Sequence, residues 1–183
     1  MATGPVRLIE PDVAYAGSFV AALCEGFRRG NRPVATMAEI ADAEADPVGH
    51  LARRSQVGPL TLPDGREIQS VSSSIHWLVE GRDFVGELSF RHALNDVLRQ
   101  SGGHMGYGIR PSRQRRGYGR RLLAEAKTLA RTAGIDRLLL TCHDHNEASA
   151  RIIEANGGVL EDVVDDIFGG GPLRRYWIDL EHR

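Results

Sequence analysis

A chain of 183 residues, 42% hydrophobic and 26% charged, can bury one sizeable core and is composed like a globular protein. Its net charge of −1 argues against a surface built as a whole for nucleic acid, and two cysteines, Cys24 and Cys142, make no disulfide framework. No apolar stretch is long enough to cross a membrane and the first residues lack a signal-peptide pattern, so a cytoplasmic protein with no membrane partner is expected.

Val6 to Glu10 reads as a short strand. Pro11-Asp12 opens a helix whose apolar positions Ala16, Phe19, Val20 and Leu23 fall at helical spacing. Gly30 to Pro33 is a break, and Thr36 to Arg54 is a second helical region with an interruption at Pro47. Gly58-Pro59 and Pro63-Asp-Gly65 mark a loop or hairpin excursion. Val71 to Glu80 and Phe84 to His92 form two strands of a hairpin around Gly81-Arg-Asp83. Ala93 to Gly103 reads as a polar, mobile connection.

The second half begins with a strand from Met105 to Arg110. A helix over Arg120 to Ala133 gathers Leu122, Leu123, Ala126, Leu129, Ala130 and Ala133 on one face, and Gly134 ends it. Arg137 to Cys142 is a strand with a continuous leucine run, expected to be buried on both faces. Asn146 caps the next helix, which ends at Asn156-Gly157. Val159 to Asp165 and Leu173 to Asp179 are the last two strands, around a glycine-rich turn at 169–171.

Between the Met105 strand and the Arg120 helix lies Arg113-Gln-Arg-Arg-Gly-Tyr-Gly-Arg-Arg121. A strand, a basic turn with glycines and a helix start form a device for holding phosphates. Backbone N–H groups point outward and the helix dipole adds partial positive charge. Gly117 and Gly119 let the backbone approach a ligand, and the arginines add charge that follows phosphates. Other readings fit less well. An RNA grip would use the five arginines but lacks interleaved aromatics. No Gly-Lys-Ser/Thr follows, so this is no P-loop, and the glycine spacing is not that of a Rossmann turn. Cys142-His-Asp-His145 has no second ligand pair at zinc spacing, so no metal is expected.

The segment from Gly106 to Gly158 resembles the GNAT superfamily of acyl-coenzyme A-dependent N-acetyltransferases. Gln114-Arg-Arg-Gly-Tyr-Gly119 fits its Q/R-x-x-G-x-G/A motif, and Ile109-Arg-Pro111 fits the end of its fourth strand. Asn146 and Ser149 fit the start of the following helix, and Asn156-Gly157-Gly158 fits its end. The resemblance implies an α/β fold of mixed α+β type over a single domain, residues 1–183. Its central, twisted, mostly antiparallel sheet would have about seven strands, a splayed parallel pair and flanking helices. It implies acetyl-CoA as co-substrate and no metal. Backbone groups of Tyr107, Gly108 and Ile109 would bind the pantetheine arm. Gln114, Arg115, Arg116, Gly117, Tyr118, Gly119 and Arg120 would surround the pyrophosphate, and Asn146 and Ser149 would contact the arm near its thiol.

The reaction implied is direct attack of a primary amine on the thioester. Many members supply an acid from a Tyr seven residues after the Asn, where this chain has Ile153. Some place a Glu five residues before it, where this chain has Thr141. The candidate catalytic residues are therefore His104, at the mouth of the Met105 strand, and Glu87, beside Gly86, with His92 behind them. Tyr107, Tyr118 and Tyr176 are candidate acids. In the family the acceptor site is built from regions that here hold Glu39, Asp42, Glu44 and Asp46, and Glu161, Asp162, Asp165 and Asp166. Such a set would suit a basic amine, whether small molecule or peptide. Two other expectations follow: a homodimer is possible through an exposed sheet edge, and the alternative function is a module that binds acyl-coenzyme A without turnover.

Overall fold

The computed structural model describes residues 4–30, 32–54 and 57–180; Met1 to Thr3 and Asn31 of the expected break lie outside them. In chain order the elements are β1 (Val6–Ile9), α1 (Ala16–Cys24), α2 (Met37–Ala45), α3 (Pro47–Arg54), β2 (Pro59–Thr61) and β3 (Glu67–Gln69). They continue with β4 (Ser73–Glu80), β5 (Asp83–Arg91), α4 (Asp96–Gln100), β6 (Met105–Ile109) and α5 (Tyr118–Thr132). The last four are β7 (Arg137–His143), α6 (Glu147–Glu154), β8 (Val159–Asp165) and β9 (Pro172–Asp179). The seven strands foreseen form a four-stranded sheet, β1-β4-β5-β6, and a three-stranded sheet, β7-β9-β8. The excursion after α3 adds a separate hairpin, β2-β3.

The chain divides into two compact units. The first comprises residues 1–56, 74–89 and 106–122. Here β1 runs antiparallel to β4, with Val6 opposite Glu80 and Ile9 opposite Trp77. Helix α1 buries Phe19, Ala22 and Leu23, spaced three and four apart, in the core that holds Trp77 and Phe84. Phe19 stacks on Trp77 at 4.9 Å, and Phe84 meets Phe19, Phe27 and Trp77 edge-on at 5.2–5.3 Å. Removing one such ring from a packed core costs about 3–5 kcal/mol. Two helices arise from the Thr36–Arg54 stretch because each has its own start signal. Thr36 and Glu39 form a reciprocal capping box for α2. Asp46 ends α2 and accepts from the Gly49 N–H, with Pro47 at the first position of α3.

The second unit comprises residues 57–73, 90–105 and 123–183. β9 is its middle strand, antiparallel to β7 with Leu140 opposite Tyr176, and to β8 with Val159 opposite Trp177. A register shift falls between Leu160 and Asp162. Leu138, Leu139 and Leu140 are all buried, as the unbroken leucine run required. The connection expected to be polar and mobile is instead ordered by α4, which Asn95 caps through the Leu98 N–H. Ser101, Gly103 and His104 beyond it are buried. The short cap went unread because one five-residue turn has no hydrophobic period to announce it.

Candidate active site

In the first unit, β6 leads through a single turn of 3-10 helix at Pro111–Arg113 into the basic loop and then α5. Arg115 (φ 58°) and Gly117 (φ 84°) both take left-handed backbone. Glycine does so freely, whereas an arginine held there stores about 1 kcal/mol, a mark of a geometry kept for use. Among the described residues, no backbone carbonyl accepts from the N–H groups of Arg115, Arg116, Gly117, Tyr118 or Gly119. Five such donors in succession, running into the first turn of a 15-residue helix, are an arrangement that can receive an anion. A Cβ at Gly117 would meet nothing within 4 Å, so the loop is open on that side.

The arginines of this region divide into two sets. Arg110 is bound to Glu25 at 2.6 and 2.8 Å and to the Ser18 hydroxyl at 3.1 Å, and Ser112 N–H also donates to Glu25. That guanidinium, with Ser112, holds the Glu25 carboxyl down at about 2. Arg113 pairs with Glu80 and Asp83, and Tyr118 donates its hydroxyl proton to Glu80 at 2.7 Å, which raises the phenol's pKa. Arg110 and Arg113 therefore fix the two feet of the loop. Arg115 and Arg116 remain exposed on it, available for an anion.

The strand before the loop is packed without slack. Arg110 N–H donates to Val85 O, joining β6 to β5. On β6, Tyr107 O accepts from Gly30 N–H at 2.9 Å, and Ile109 O accepts from the Gln114 side-chain amide at 3.1 Å. A Cβ at Gly108 would sit 2.1 Å from Arg28 O, and one at Gly86 would sit 2.6 Å from Gly108 O. The glycines are there because three backbones pass in contact: β5, β6 and the turn after α1.

Glu87 was a candidate base, but its carboxylate is fully engaged. It is 0% exposed; Oε1 accepts from Arg29 (3.1 Å) and Arg54 (2.7 Å), and Oε2 from Arg54 (3.1 Å) and the Trp77 indole (3.1 Å). Four donors fill its lone-pair sites. Sequence reasoning missed these partners, since Arg29 and Arg54 reach Glu87 from 58 and 33 residues away and no local pattern marks them.

The other candidate base, His104, lies in the second unit and is also buried. Leu139 N–H donates to its Nδ1 at 2.9 Å, while its own N–H donates to Leu139 O and its carbonyl accepts from Arg91 N–H. With Nδ1 accepting, the ring proton sits on Nε2. Burial pushes the pKa from 6.5 down to about 4, opposed by the Leu139 hydrogen bond. The ring is neutral at pH 7 but offers no open lone pair. Glu87 and His104 thus share one feature: the acceptor atoms of each are bound by donors inside the protein.

Also in the second unit, Asn146 Oδ1 accepts from Ser149 N–H at 3.1 Å, the cap foreseen for α6. Ile153 is 0% exposed, a core residue. His92 is exposed, its ring edge-on to Phe90. Tyr176 donates to Glu154 at 3.2 Å, and burial raises its pKa. His143 and His145 stack at 5.4 Å, and among the described residues no three His, Cys, Asp or Glu side chains could hold a metal ion. The acidic residues expected to attract a cation are mostly spoken for. Arg53 binds Asp42 and Asp46, Thr36 binds Glu39, and Arg175 binds Asp162 and Glu161.

The chain belongs to the GNAT acetyltransferase family: the model of the acetyltransferase (GNAT) domain matches residues 43–159. Among solved structures, Mycobacterium smegmatis RimJ in complex with CoA-disulfide is 15% identical over 96% of this chain and 82% of that one, with a TM-score of 0.67. A Salmonella typhimurium acetyl transferase that modifies the N-terminal serine of the 50S ribosomal protein L7/L12 is 15% identical over 98% and 100%, TM-score 0.63. The microcin C7 self-immunity acetyltransferase MccE, in complex with acetyl-CoA and AMP, is 15% identical over 95% and 92%, TM-score 0.60. At these identities the likeness is one of fold, and it matches the mixed α/β architecture foreseen. No curated protein matches the chain. Among the described residues, no helix is long and apolar enough to cross a membrane.

Proposed function

We propose that this protein transfers an acetyl group from acetyl-CoA to a primary amine. The observation that carries the reading is the run of five unpartnered backbone N–H groups from Arg115 to Gly119 at the head of α5. A pyrophosphate satisfies such a cradle; a neutral ligand does not. Arg115 and Arg116 add charge beside it, and Gly117 keeps the approach open. Family membership and relatives solved with acetyl-CoA or CoA support the choice of donor. The matched stretch draws residues from both compact units, which supports treating 1–183 as a single GNAT-like domain.

In this reading the pantetheine arm lies along β6. Tyr107 O is already bound to Gly30, so the arm takes the Ile109 end of the strand, and Gln114 gives up Ile109 O as the arm arrives. Asn146 and Ser149 are assigned to the coenzyme by the resemblance. Because Asn146 Oδ1 caps α6, the contact left to that side chain is its amide N–H2. The amine nitrogen bonds to the thioester carbon, the C–S bond breaks, and the sulfur leaves with the electron pair. One proton leaves the amine and one reaches the thiolate. Since the acceptor atoms of Glu87 and His104 are occupied by donors of the protein, this reading has solvent water carry both protons, and the reactive species is the fraction of acceptor that enters as neutral amine.

The test is a turnover assay with free-thiol detection over a panel of amines. Acetyl-CoA-dependent thiol release matched by an acetylated amine is the expected result. Tight acetyl-CoA binding with no thiol release for any amine would instead make the protein a binding module.

A further inference from the structure

Of the 23 lysine and arginine residues in the chain, only Lys127 is a lysine. It stands on α5, half-buried, and its Nζ donates to Asn156 O at 2.8 Å. Asn156 is the residue that closes α6. Its N–H donates to Ile153 O, its side-chain amide donates to Ile152 O at 2.9 Å, and Gly157 then turns the chain toward β8 with φ 91°. The carbonyls at that end of α6 carry the negative end of the helix dipole. An ammonium placed there is held by charge as well as by its hydrogen bond. Lys127 is thus the tie between α5 and the far end of α6, with both residues in one compact unit.

An arginine would also serve a carbonyl at a helix end, and every other Lys or Arg position in the chain holds arginine. What lysine adds is chemistry. Its ε-nitrogen, once neutral, is a nucleophile, whereas a guanidinium stays protonated. Burial favours the neutral form, and the charge of Arg131, one turn further along α5, favours it too, so the ammonium's pKa lies below its ordinary value. A neutral amine that donates one N–H to Asn156 O keeps its lone pair for another partner, and solvent still reaches the side chain.

We infer that Lys127 is a site of acetylation by acetyl-CoA, and that the modification loosens the joint between α5 and α6. The ε-nitrogen bonds to the thioester carbon, the C–S bond breaks, and the sulfur leaves with the electron pair. The proton shed by the nitrogen passes through water to the thiolate. The product is an uncharged amide with added bulk, so Asn156 O loses the cation that answers it. The inference goes beyond the acetyl-transfer reading and does not need it, because the thioester reacts with the amine directly.

The full chain, folded, is incubated with millimolar acetyl-CoA beside a urea-unfolded sample, and the acetylated residues are mapped by mass spectrometry. The expected result is acetyl-Lys127 in the folded protein. Once the thioester is removed, the acetylated sample should melt about 3 °C or more below the untreated protein. Lys127→Gln should lower Tm in the same way without treatment. Lys127→Arg keeps the charge, and its Tm should stay within about 1 °C whether or not it has met acetyl-CoA. Lys127 left unmodified in the folded protein while the unfolded one reacts, or acetylation confined to the α-amine of the chain, overturns the site. Acetyl-Lys127 with an unchanged Tm overturns the loosening. The wild-type mapping and melting decide both points even if Lys127→Gln fails to fold.

Discussion

Replacing His104 with Gln tests the claim that this ring is a structural acceptor. A glutamine carbonyl can still receive the Leu139 N–H that now reaches Nδ1 at 2.9 Å, but it cannot titrate. In the wild type the folded pKa is about 4, depressed by burial below the ordinary 6.5. The folded state therefore resists protonation, and the unfolded chain takes the proton first. The resulting stability is fully present above pH 6.5 and is lost as pH falls toward 4. Between pH 7 and 4.5 those two pKa values give a loss of about 2 kcal/mol from this residue alone. Urea unfolding of both proteins at the two pH values isolates it, since the other titrating groups cancel in the difference. The wild type should lose about 2 kcal/mol more than His104→Gln on acidification. An equal loss in the two proteins, or a His104 ring that titrates near 6.5 by NMR, would refute the reasoning.

Gly108→Ala puts a methyl 2.1 Å from Arg28 O, backbone against backbone, and should cost about 2 kcal/mol or more in urea unfolding; a cost under about 0.5 kcal/mol would show that the turn after α1 is not held against β6 as described. Glu25 contributes stability that is present above pH 4.5 and lost as pH falls toward about 2, because Arg110 and Ser112 bind its ionised form. The carboxylate stands near solvent, so the contribution is about 1 kcal/mol rather than the full shift. Glu25→Gln should lower stability by that amount at pH 6 and not at pH 2, and a pH-independent difference would contradict it.

Much of the fold was legible because it is written in period and punctuation. The leucine run of β7, the i, i+3, i+4 face of α5 from Leu122 to Ala130 and the cap at Asn146 each have a local physical cause, and each appears where it was read; Ala133, read onto the same face, lies past the end of α5 and is exposed. The basic loop was legible for the same reason, since glycines before a helix constrain backbone directly. The interior of the site was not. Whether Glu87 is a base or the centre of an ion-pair cluster depends on Arg29, Arg54 and Trp77, which only the tertiary fold assembles. Whether Arg113 faces a ligand or a neighbour depends on Glu80 and Asp83, some 30 residues earlier. Charge counted along the sequence likewise overstated the acidic faces, whose carboxylates the fold pairs with Arg53 and Arg175.

The anion cradle before α5 is the central claim, and coenzyme A binding by calorimetry to Gly117→Ala and Gly117→Glu tests it most directly. Both variants suffer the same backbone strain at φ 84°, and neither side chain meets protein within 4 Å of its Cβ. Only the glutamate brings bulk and negative charge to the place where a pyrophosphate would lie. The account predicts that the wild type binds coenzyme A, that Gly117→Ala weakens it modestly, and that Gly117→Glu weakens it about a hundredfold further, nearly 3 kcal/mol. Equal affinity in the alanine and glutamate variants would contradict it.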